Sequence, residues 1–93
     1  MVIGLLRMEL AIRDAVSLKD KRRVVKSIRD RVRHAFNVSI SEVDHLDRRR
    51  SAVLAVALVT GDGAFADQVL AKVVSLVRRT PGADLVHYET ERL

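Results

Sequence analysis

Five basic side chains recur along one flank of the stretch Ser17 to Asn37, which reads SLKDKRRVVKSIRDRVRHAFN. A helical spacing of 100° per residue places them side by side, and we call them the basic row: Lys19, Arg22, Lys26, Arg29 and Arg33. From Arg22 to Arg33 the row is about 16 Å long at 1.5 Å per residue, and Asp20 and Asp30 are predicted to lie on the other side. Arginine can hold a phosphate through two parallel hydrogen bonds. The row therefore predicts a helix face that contacts nucleic-acid phosphates, and the alternative is a solvated face that complements the helix dipole.

A second group of arginines, Arg48 to Arg50, lies in the polar run DHLDRRR. We include all three, Arg48, Arg49 and Arg50, in the predicted nucleic-acid-binding surface, on the condition that the fold brings this loop near the basic row. The whole chain carries 17 Lys and Arg residues against 12 Asp and Glu, a formal charge of +5. Such a balance favours anionic partners such as RNA or the ribosome.

Catalytic patterns are weaker than the basic ones. The histidines fall on a predicted helix, a loop and a strand, and no serine has the setting of a nucleophile elbow. Two sets of side chains have spacings that a divalent metal can use, although a solvated loop and a strand edge explain them more simply: Asp44, His45 and Asp47, and His87, Glu89 and Glu91. Acylphosphatase chemistry would need a phosphate cradle, and the loop from Arg13 to Ser17 has no glycine to build one. We therefore predict a protein that is not an enzyme and has no cofactor.

Length and composition predict one small cytoplasmic domain that spans residues 1–93. A second hydrophobic core does not fit in 93 residues, and 48% apolar residues are enough to form one. The chain has no cysteine, which excludes disulfides and thiolate zinc sites. Arg7 and Glu9 interrupt the apolar N-terminus, so this segment is predicted to be a strand and not a membrane span or a signal peptide.

The elements that must position these side chains follow from hydrophobic periodicity. Alternation predicts a first strand over Val2 to Ile12, and Ser17 caps a helix that runs from Leu18 to about Phe36, with Asp20 as a capping-box acid. The apolar arc of this helix is predicted to pack on a sheet: Leu18, Val24, Val25, Ile28, Val32, Ala35 and Phe36. Asn37 then fits a turn with left-handed backbone geometry.

The second half of the sequence predicts two strands, then a helix and a last strand. Val38 to Val43 is a short edge strand with a bulge, and Ser51 to Thr60 is apolar on both faces and therefore central. Asp62 caps a helix from Ala64 to Arg79, and Ala83 to Leu93 is the last strand. The apolar row of that second helix is predicted as Phe65, Val69, Val73, Leu76 and Val77. The order β-α-β-β-α-β predicts an α+β, ferredoxin-like fold: a four-stranded antiparallel sheet with two helices on one face.

The other face of the sheet is predicted to be a homodimer interface, because the third strand is apolar on both sides and the helices cover only one of them. We centre this surface on the third strand and on Ile3 and Leu5. The two central strands contain no aromatic residue, which excludes base stacking of the kind seen in RNA-recognition motifs. The alternative function is a homo-oligomeric protein-interaction or small-ligand module with no nucleic-acid role.

Three segments in register resemble the YlxP-like family of small bacterial proteins of unassigned function: SLKDKRR at Ser17 to Arg23, FNVS at Phe36 to Ser39, and EVD at Glu42 to Asp44. The resemblance covers essentially the whole chain and implies a ferredoxin-like fold. Members of that family are often encoded beside translation-initiation and ribosome-maturation genes, so it also implies a connection with RNA or the ribosome by association. The family often has an aromatic residue in the loop after EVD, whereas this chain has Arg48 to Arg50 there.

Overall fold

The computed structural model describes residues 1–93, and its elements follow the predicted order. Their bounds differ from the predicted ones by at most one residue at each end: β1 Val2–Ala11, α1 Leu18–Ala35, β2 Ser39–Asp44, β3 Ser51–Thr60, α2 Gly63–Arg79 and β4 Asp84–Arg92. No helix is long and apolar enough to cross a membrane.

The four strands form one antiparallel sheet in the order β2-β3-β1-β4. The predicted ferredoxin-like arrangement is therefore confirmed, with β1 and β3 in the centre and β2 and β4 at the edges. The two central strands pair without interruption from Val2 opposite Thr60 to Ala11 opposite Ser51. The predicted irregularity in β2 is present between Glu42 and Asp44, where the register shifts.

The N-terminus of α1 is held by reciprocal side-chain hydrogen bonds, as the sequence predicts. The Ser17 hydroxyl accepts from the Asp20 amide at 3.1 Å, and the Asp20 carboxylate accepts from the Val16 amide at 3.1 Å. The second bond goes to the residue before the cap, one position earlier than in a standard capping box. Both bonds fix the first turn, on which Lys19 lies.

Helix α1 buries Val25, Ile28 and Val32 against the sheet, and the predicted arc is correct at these positions. Ala35, which we also placed in the arc, is exposed at the last residue of the helix. Asn37 does not adopt left-handed geometry; the residues with positive φ are His45 and Gly82. The turn after α1 therefore forms without the conformation that we predicted for Asn37.

The predicted apolar row of α2 is correct at Val73 and Val77, which are buried, and at Val69 and Leu76, which pack against the core, but it is wrong at Phe65. The side chains that α2 buries are Ala66, Leu70, Val73, Val74 and Val77. Phe65, the largest residue of the predicted row, is 51% exposed. The reason is the close approach of α2 to β1 at Gly4, where a Cβ atom would lie 3.1 Å from Leu58 Cδ2 and 3.3 Å from Ala66 Cβ. A small residue is needed at this contact, so Ala66 faces the sheet and Phe65 does not.

The core lies between the sheet and the two helices and is built from alternate residues of the central strands. Leu6, Met8 and Leu10 of β1 are buried there, as the even-numbered face of this strand was predicted to be. The opposite face of the sheet has no layer over it in the monomer. We call it the open face.

Candidate nucleic-acid interface

The basic row lies on the outer surface of α1, and four of its five members are exposed: Lys19, Arg22, Lys26 and Arg33. Lys19 and Arg22 make no ion pair or side-chain hydrogen bond within the chain. Their charged groups are therefore free to meet an anion. Arg29 is half-buried, and its Nε atom is buried without a hydrogen-bond partner.

The middle of the basic row is not free of acid, contrary to our prediction. Lys26 Nζ lies 2.7 Å from Asp30 Oδ2 in an ion pair between residues four apart. Four residues along a helix differ by only 40° in direction, so Asp30 stands one turn from Lys26 on nearly the same line. The hydrogen bond from Lys26 holds the pKa of the Asp30 carboxyl below its ordinary value. Lys26 thus has less charge to offer than its neighbours.

The far end of the row is tied to the edge strand. Arg33 NH2 donates to the carbonyl oxygen of Ile40 in β2 at 3.0 Å. This bond holds the guanidinium beside the sheet edge. The row therefore runs from the first turn of α1 to the start of β2.

Two further arginines, Arg23 and Arg31, extend the cationic surface beyond the predicted row. Both are exposed on α1 and have no acidic partner within 4 Å. With Lys26, Ser27 and Asp30 they line a shallow groove. The helical wheel placed these two arginines away from the basic row. They still add to the cationic surface, because α1 lies on the outside of the molecule and its whole outer half is accessible to solvent.

Arg48 to Arg50, the predicted loop contribution, lies at the N-terminal end of α1. Arg49 NH1 donates to the Val16 carbonyl at 3.3 Å, and Arg50 Nε donates to the Ala15 carbonyl at 3.2 Å. Arg48 NH1 lies 3.1 Å from His45 Nε2. The loop is therefore held at the same end of the molecule as Lys19, and all three arginines are exposed.

The eighth basic residue of α1 has a structural role that we did not predict. Lys21 is 1% exposed; its Nζ lies 2.8 Å from Glu42 Oε2 and donates to the His45 carbonyl at 2.6 Å. Glu42 Oε2 has no aligned hydrogen bond, so its contact with Lys21 Nζ is an electrostatic ion pair and not a hydrogen bond. Lys21 thus fastens α1 to the end of β2 and to the turn that leads to the arginines of the loop. The signal was present, because Lys21 is four, seven and eleven residues before Val25, Ile28 and Val32.

The open face is apolar around Ile3 and Val59, and its acidic residues lie mainly along β4, where Glu91 is paired with Leu5. Ile3 is paired with Val59 and bonded to Leu93, and the next row contains Leu5 and Ala57. Val59 and Leu93 are 68% and 65% exposed. No aromatic residue lies on this face of β1 or β3, and a shallow depression over Ala55 is bordered by acidic residues of β4, Glu89 and Glu91.

Toward the other end of the open face, Arg7 reaches across β3 to Asp44 of β2, with 3.7 Å between NH2 and Oδ2. Val53 of β3, which is paired with Asp44 of β2, is buried although it lies outside the main core. The pKa of Asp44 is held below its ordinary value by the hydrogen bond from the His45 amide and by the nearby charge of Arg7. Glu9, Glu89 and Glu91 have no cationic partner within 4 Å.

The two candidate metal sets are not assembled. Asp44 and His45 take part in the turn described above, and His87, Glu89 and Glu91 point from alternate positions of one edge strand. No three His, Asp or Glu side chains converge at a distance that a metal ion requires. Eight of the 17 Lys and Arg residues lie on α1, and three acids without a cationic partner, Glu9, Glu89 and Glu91, lie on the open face.

The fold and this distribution of charge define a ferredoxin-like protein with a cationic helical surface and a bare sheet face. The family model described as a protein of unknown function, DUF503, matches residues 3–90. The uncharacterised protein YlxP of Bacillus subtilis strain 168 is 34% identical over 90 residues, which cover 97% of this chain and 98% of that protein. The chain belongs to the DUF503 family, and the resemblance to YlxP-like proteins is confirmed.

Solved structures agree on the fold. A de novo designed protein, Foldit4, superposes with a TM-score of 0.58 at 13% identity and covers 100% of this chain and 97% of its own. The designed ferredoxin fold LFR1 1 has a TM-score of 0.58 at 15% identity, with coverage of 98% and 86%. A dimeric ferredoxin-like protein of unknown function from Thermobifida fusca yx has a TM-score of 0.50 at 16% identity, with coverage of 100% and 90%. At these identities the likeness concerns the fold alone.

Proposed function

We propose that this protein is a non-catalytic, cytoplasmic RNA-binding protein, with ribosomal RNA as the target, and that α1 is its binding surface. The observation that carries the proposal is the segregation of charge. Helix α1 contains eight of the 17 basic residues and two acids. With Lys21 buried, seven cations remain on its surface, and Asp20 is engaged in the cap.

Recognition is led by the RNA backbone. The cations lie along one helix and the arginines can pair with phosphate oxygens, which gives affinity without sequence information. The open face is less suited to this role, because its unpaired glutamates repel phosphates and its two central strands offer no aromatic ring for a base to stack on. Family membership supports the proposal only by association, through the ribosomal context of related genes.

The test is an RNA-binding titration of matched charge-reversal variants. Lys19→Glu combined with Arg22→Glu changes two exposed, unpaired cations of α1. Lys72→Glu combined with Arg79→Glu makes the same change of net charge on exposed positions of α2. We expect the α1 variant to lose at least tenfold in affinity at about 50 mM salt and the α2 variant to remain within about twofold of the unmodified protein.

The salt dependence gives a second readout of the same experiment. For single-stranded RNA, each phosphate contact contributes about 0.7 to the slope of log K against log salt concentration. The α1 variant should have a smaller slope than the α2 variant. Equal losses in the two variants would mean that only net charge matters, and no binding by the unmodified protein at low salt would contradict the proposal.

A second candidate, self-association through the open face, is favoured by the apolar part of that face. Four strands about 4.8 Å apart and about 30 Å long give a face of about 600 Å² per copy, or about 1,200 Å² in a dimer, which is the lower limit of stable interfaces. The Thermobifida protein of the same fold is described as dimeric. We propose a homodimer centred on Ile3, Leu5 and Val59. If RNA is not bound, this interface makes the protein an oligomeric interaction module.

Light scattering tests the dimer directly. We expect the mass of a dimer for the unmodified protein and that of a monomer for Leu5→Glu combined with Val59→Glu, because charges would be placed in an apolar contact. Val86→Glu, an exposed position of β4 outside this row, is the control and should stay dimeric. A strict monomer at high protein concentration would contradict the proposal.

A further inference from the structure

A notch of about 520 Å³ lies where the basic row meets the sheet edge. It is bordered by Arg33 near the end of α1, by Asn37 and Val38 between α1 and β2, by Ser39 at the start of β2, and by residues 57–59 of β3. Its volume is within the range of sites that hold a small organic ligand. The notch is open to solvent and continuous with the cationic surface of α1 through Arg33.

The backbone of β3 is unpaired at this notch. Pairing with β2 begins at Ser39 opposite Ala57, whereas β3 continues to Thr60 along β1. Leu58 to Thr60 therefore has a neighbour on one side only. In an antiparallel strand the N–H and C=O groups of alternate residues point to opposite sides, so at least one of these three residues directs both groups away from β1. The edge offers a donor and an acceptor side by side.

Three polar residues, Arg33, Asn37 and Ser39, lie around this edge together with apolar residues of β3. Asn37 and Ser39 are exposed, and neither side chain has a hydrogen bond within the chain. The backbone at position 37 does not call for an Asn, since the φ of Asn37 is not positive and other residues could adopt it. Arg33 is held in place by Ile40, which leaves the other N–H groups of its guanidinium available.

We propose that this notch binds one unstacked nucleotide of single-stranded RNA and reads the hydrogen-bonding edge of its base. The inference rests on the proposed function, because the basic row supplies the affinity for RNA. Arg33 lies where an RNA chain bound along the basic row would reach the notch. An Asn amide has a donor and an acceptor in the geometry that a base edge presents, and single-stranded RNA is recognised through such edges when its bases are splayed out.

Other occupants fit this notch less well. A peptide that adds a strand to the sheet needs a longer free edge, and only three residues of β3 lack a partner on the β2 side here. A lone phosphate needs cationic or N–H donors and has no use for an amide carbonyl. The combination of Asn37, Ser39 and a strand edge that both donates and accepts matches a nucleobase.

The experiment compares binding of poly(U), poly(A), poly(C) and poly(G) oligonucleotides of about 12 nucleotides at one salt concentration. We expect the unmodified protein to prefer one of them over the others by at least fivefold. Asn37→Ala combined with Ser39→Ala should reduce that preference to within twofold and leave the slope of log K against log salt unchanged. Gln68→Ala combined with Ser75→Ala, at exposed positions of α2, is the control and should keep the preference.

The outcomes separate the two proposals. If the unmodified protein binds RNA with a salt dependence that requires Lys19 and Arg22, but the Asn37 and Ser39 variant keeps the same preference, the nucleotide site is refuted and the basic surface stands. Equal binding of all four oligonucleotides by the unmodified protein also refutes the site. No RNA binding refutes both.

Discussion

Lys21 supports the cationic surface from inside the fold, and the most specific stability prediction concerns its replacement by methionine. Lys21→Met preserves most of the side-chain stem but removes the charge that lies 2.8 Å from Glu42 Oε2. The His45 carbonyl still accepts from the Arg48 amide at 3.0 Å, so it is not left without a partner. The Glu42 carboxylate, whose side chain is 13% exposed, loses its only cation.

The expected cost follows from that uncompensated charge. Removing one partner of a buried ion pair costs about 3–5 kcal/mol, and the residual exposure of Glu42 places this case near the lower value, at about 3 kcal/mol. Total stabilities are about 5–15 kcal/mol, so the variant should be much weakened. With a slope of about 1–2 kcal/mol per molar urea for a chain of this size, the unfolding midpoint should fall by about 2 M.

The assay is urea unfolding at neutral pH, followed by far-ultraviolet circular dichroism because the chain has no tryptophan. A second variant, Lys21→Met combined with Glu42→Leu, removes both charges and should recover most of the lost stability, since an apolar pair can replace a buried ion pair at little cost. A loss below about 1 kcal/mol for Lys21→Met, or no recovery in the double variant, would refute the role assigned to the pair.

Further predictions concern the packing and the acid response of the fold. Gly4→Ala should lower the free energy of unfolding by about 1–3 kcal/mol, because the added Cβ would lie 3.1 Å from Leu58 Cδ2 of β3 and 3.3 Å from Ala66 Cβ of α2; an unchanged urea midpoint would contradict this close packing. The Arg92 guanidinium bonded to Asp67 holds the pKa of that carboxyl below its ordinary value, and the same is true of Asp44 with the His45 amide. A lowered pKa stabilises the folded state above the unfolded-state value and the effect is lost as the pH falls through the folded-state value, so stability should decrease below about pH 4. Asp67→Asn should be less stable than the unmodified protein at pH 7 and should lose less stability on acidification, as measured by urea midpoints at the two pH values.

The fold could be predicted because its signals are local. Alternation in β1, the Ser17 and Asp62 caps and the unbroken apolar run of β3 each specify one element, and the order of elements leaves few topologies. The sheet order and even the shift in β2 followed from these patterns. What could not be predicted depends on how closely the layers approach.

Helix α2 illustrates this limit. Several apolar residues surround it, so its sequence allows two adjacent faces to be buried, and the choice of Ala66 over Phe65 is made by Gly4 on another strand. Contacts between distant segments also could not be predicted from the sequence, such as the hydrogen bond from Arg49 to the Val16 carbonyl. The notch beside Asn37 was also hidden, because it depends on where β2 stops pairing with β3.

The basic row was predictable as a pattern but not as a set of available charges. Helical spacing placed its five members correctly on one flank of α1, while the structure shows that Lys26 is paired with Asp30 and that Arg33 is held by Ile40. Lys21 was overlooked because its charge suggested a surface position, although its spacing matches the buried residues of α1. Spacing predicts direction, and only packing decides which charges reach the solvent.

The most direct test of the proposed function is chemical-shift mapping of the isotopically labelled protein during titration with single-stranded RNA at low salt. We expect the amide signals of α1 from Lys19 to Arg33 to move together with those of residues 37–39. Signals of Leu5 and Ala55 on the open face should stay in place. Shifts confined to the open face, or no shifts at saturating RNA, would contradict the proposed function.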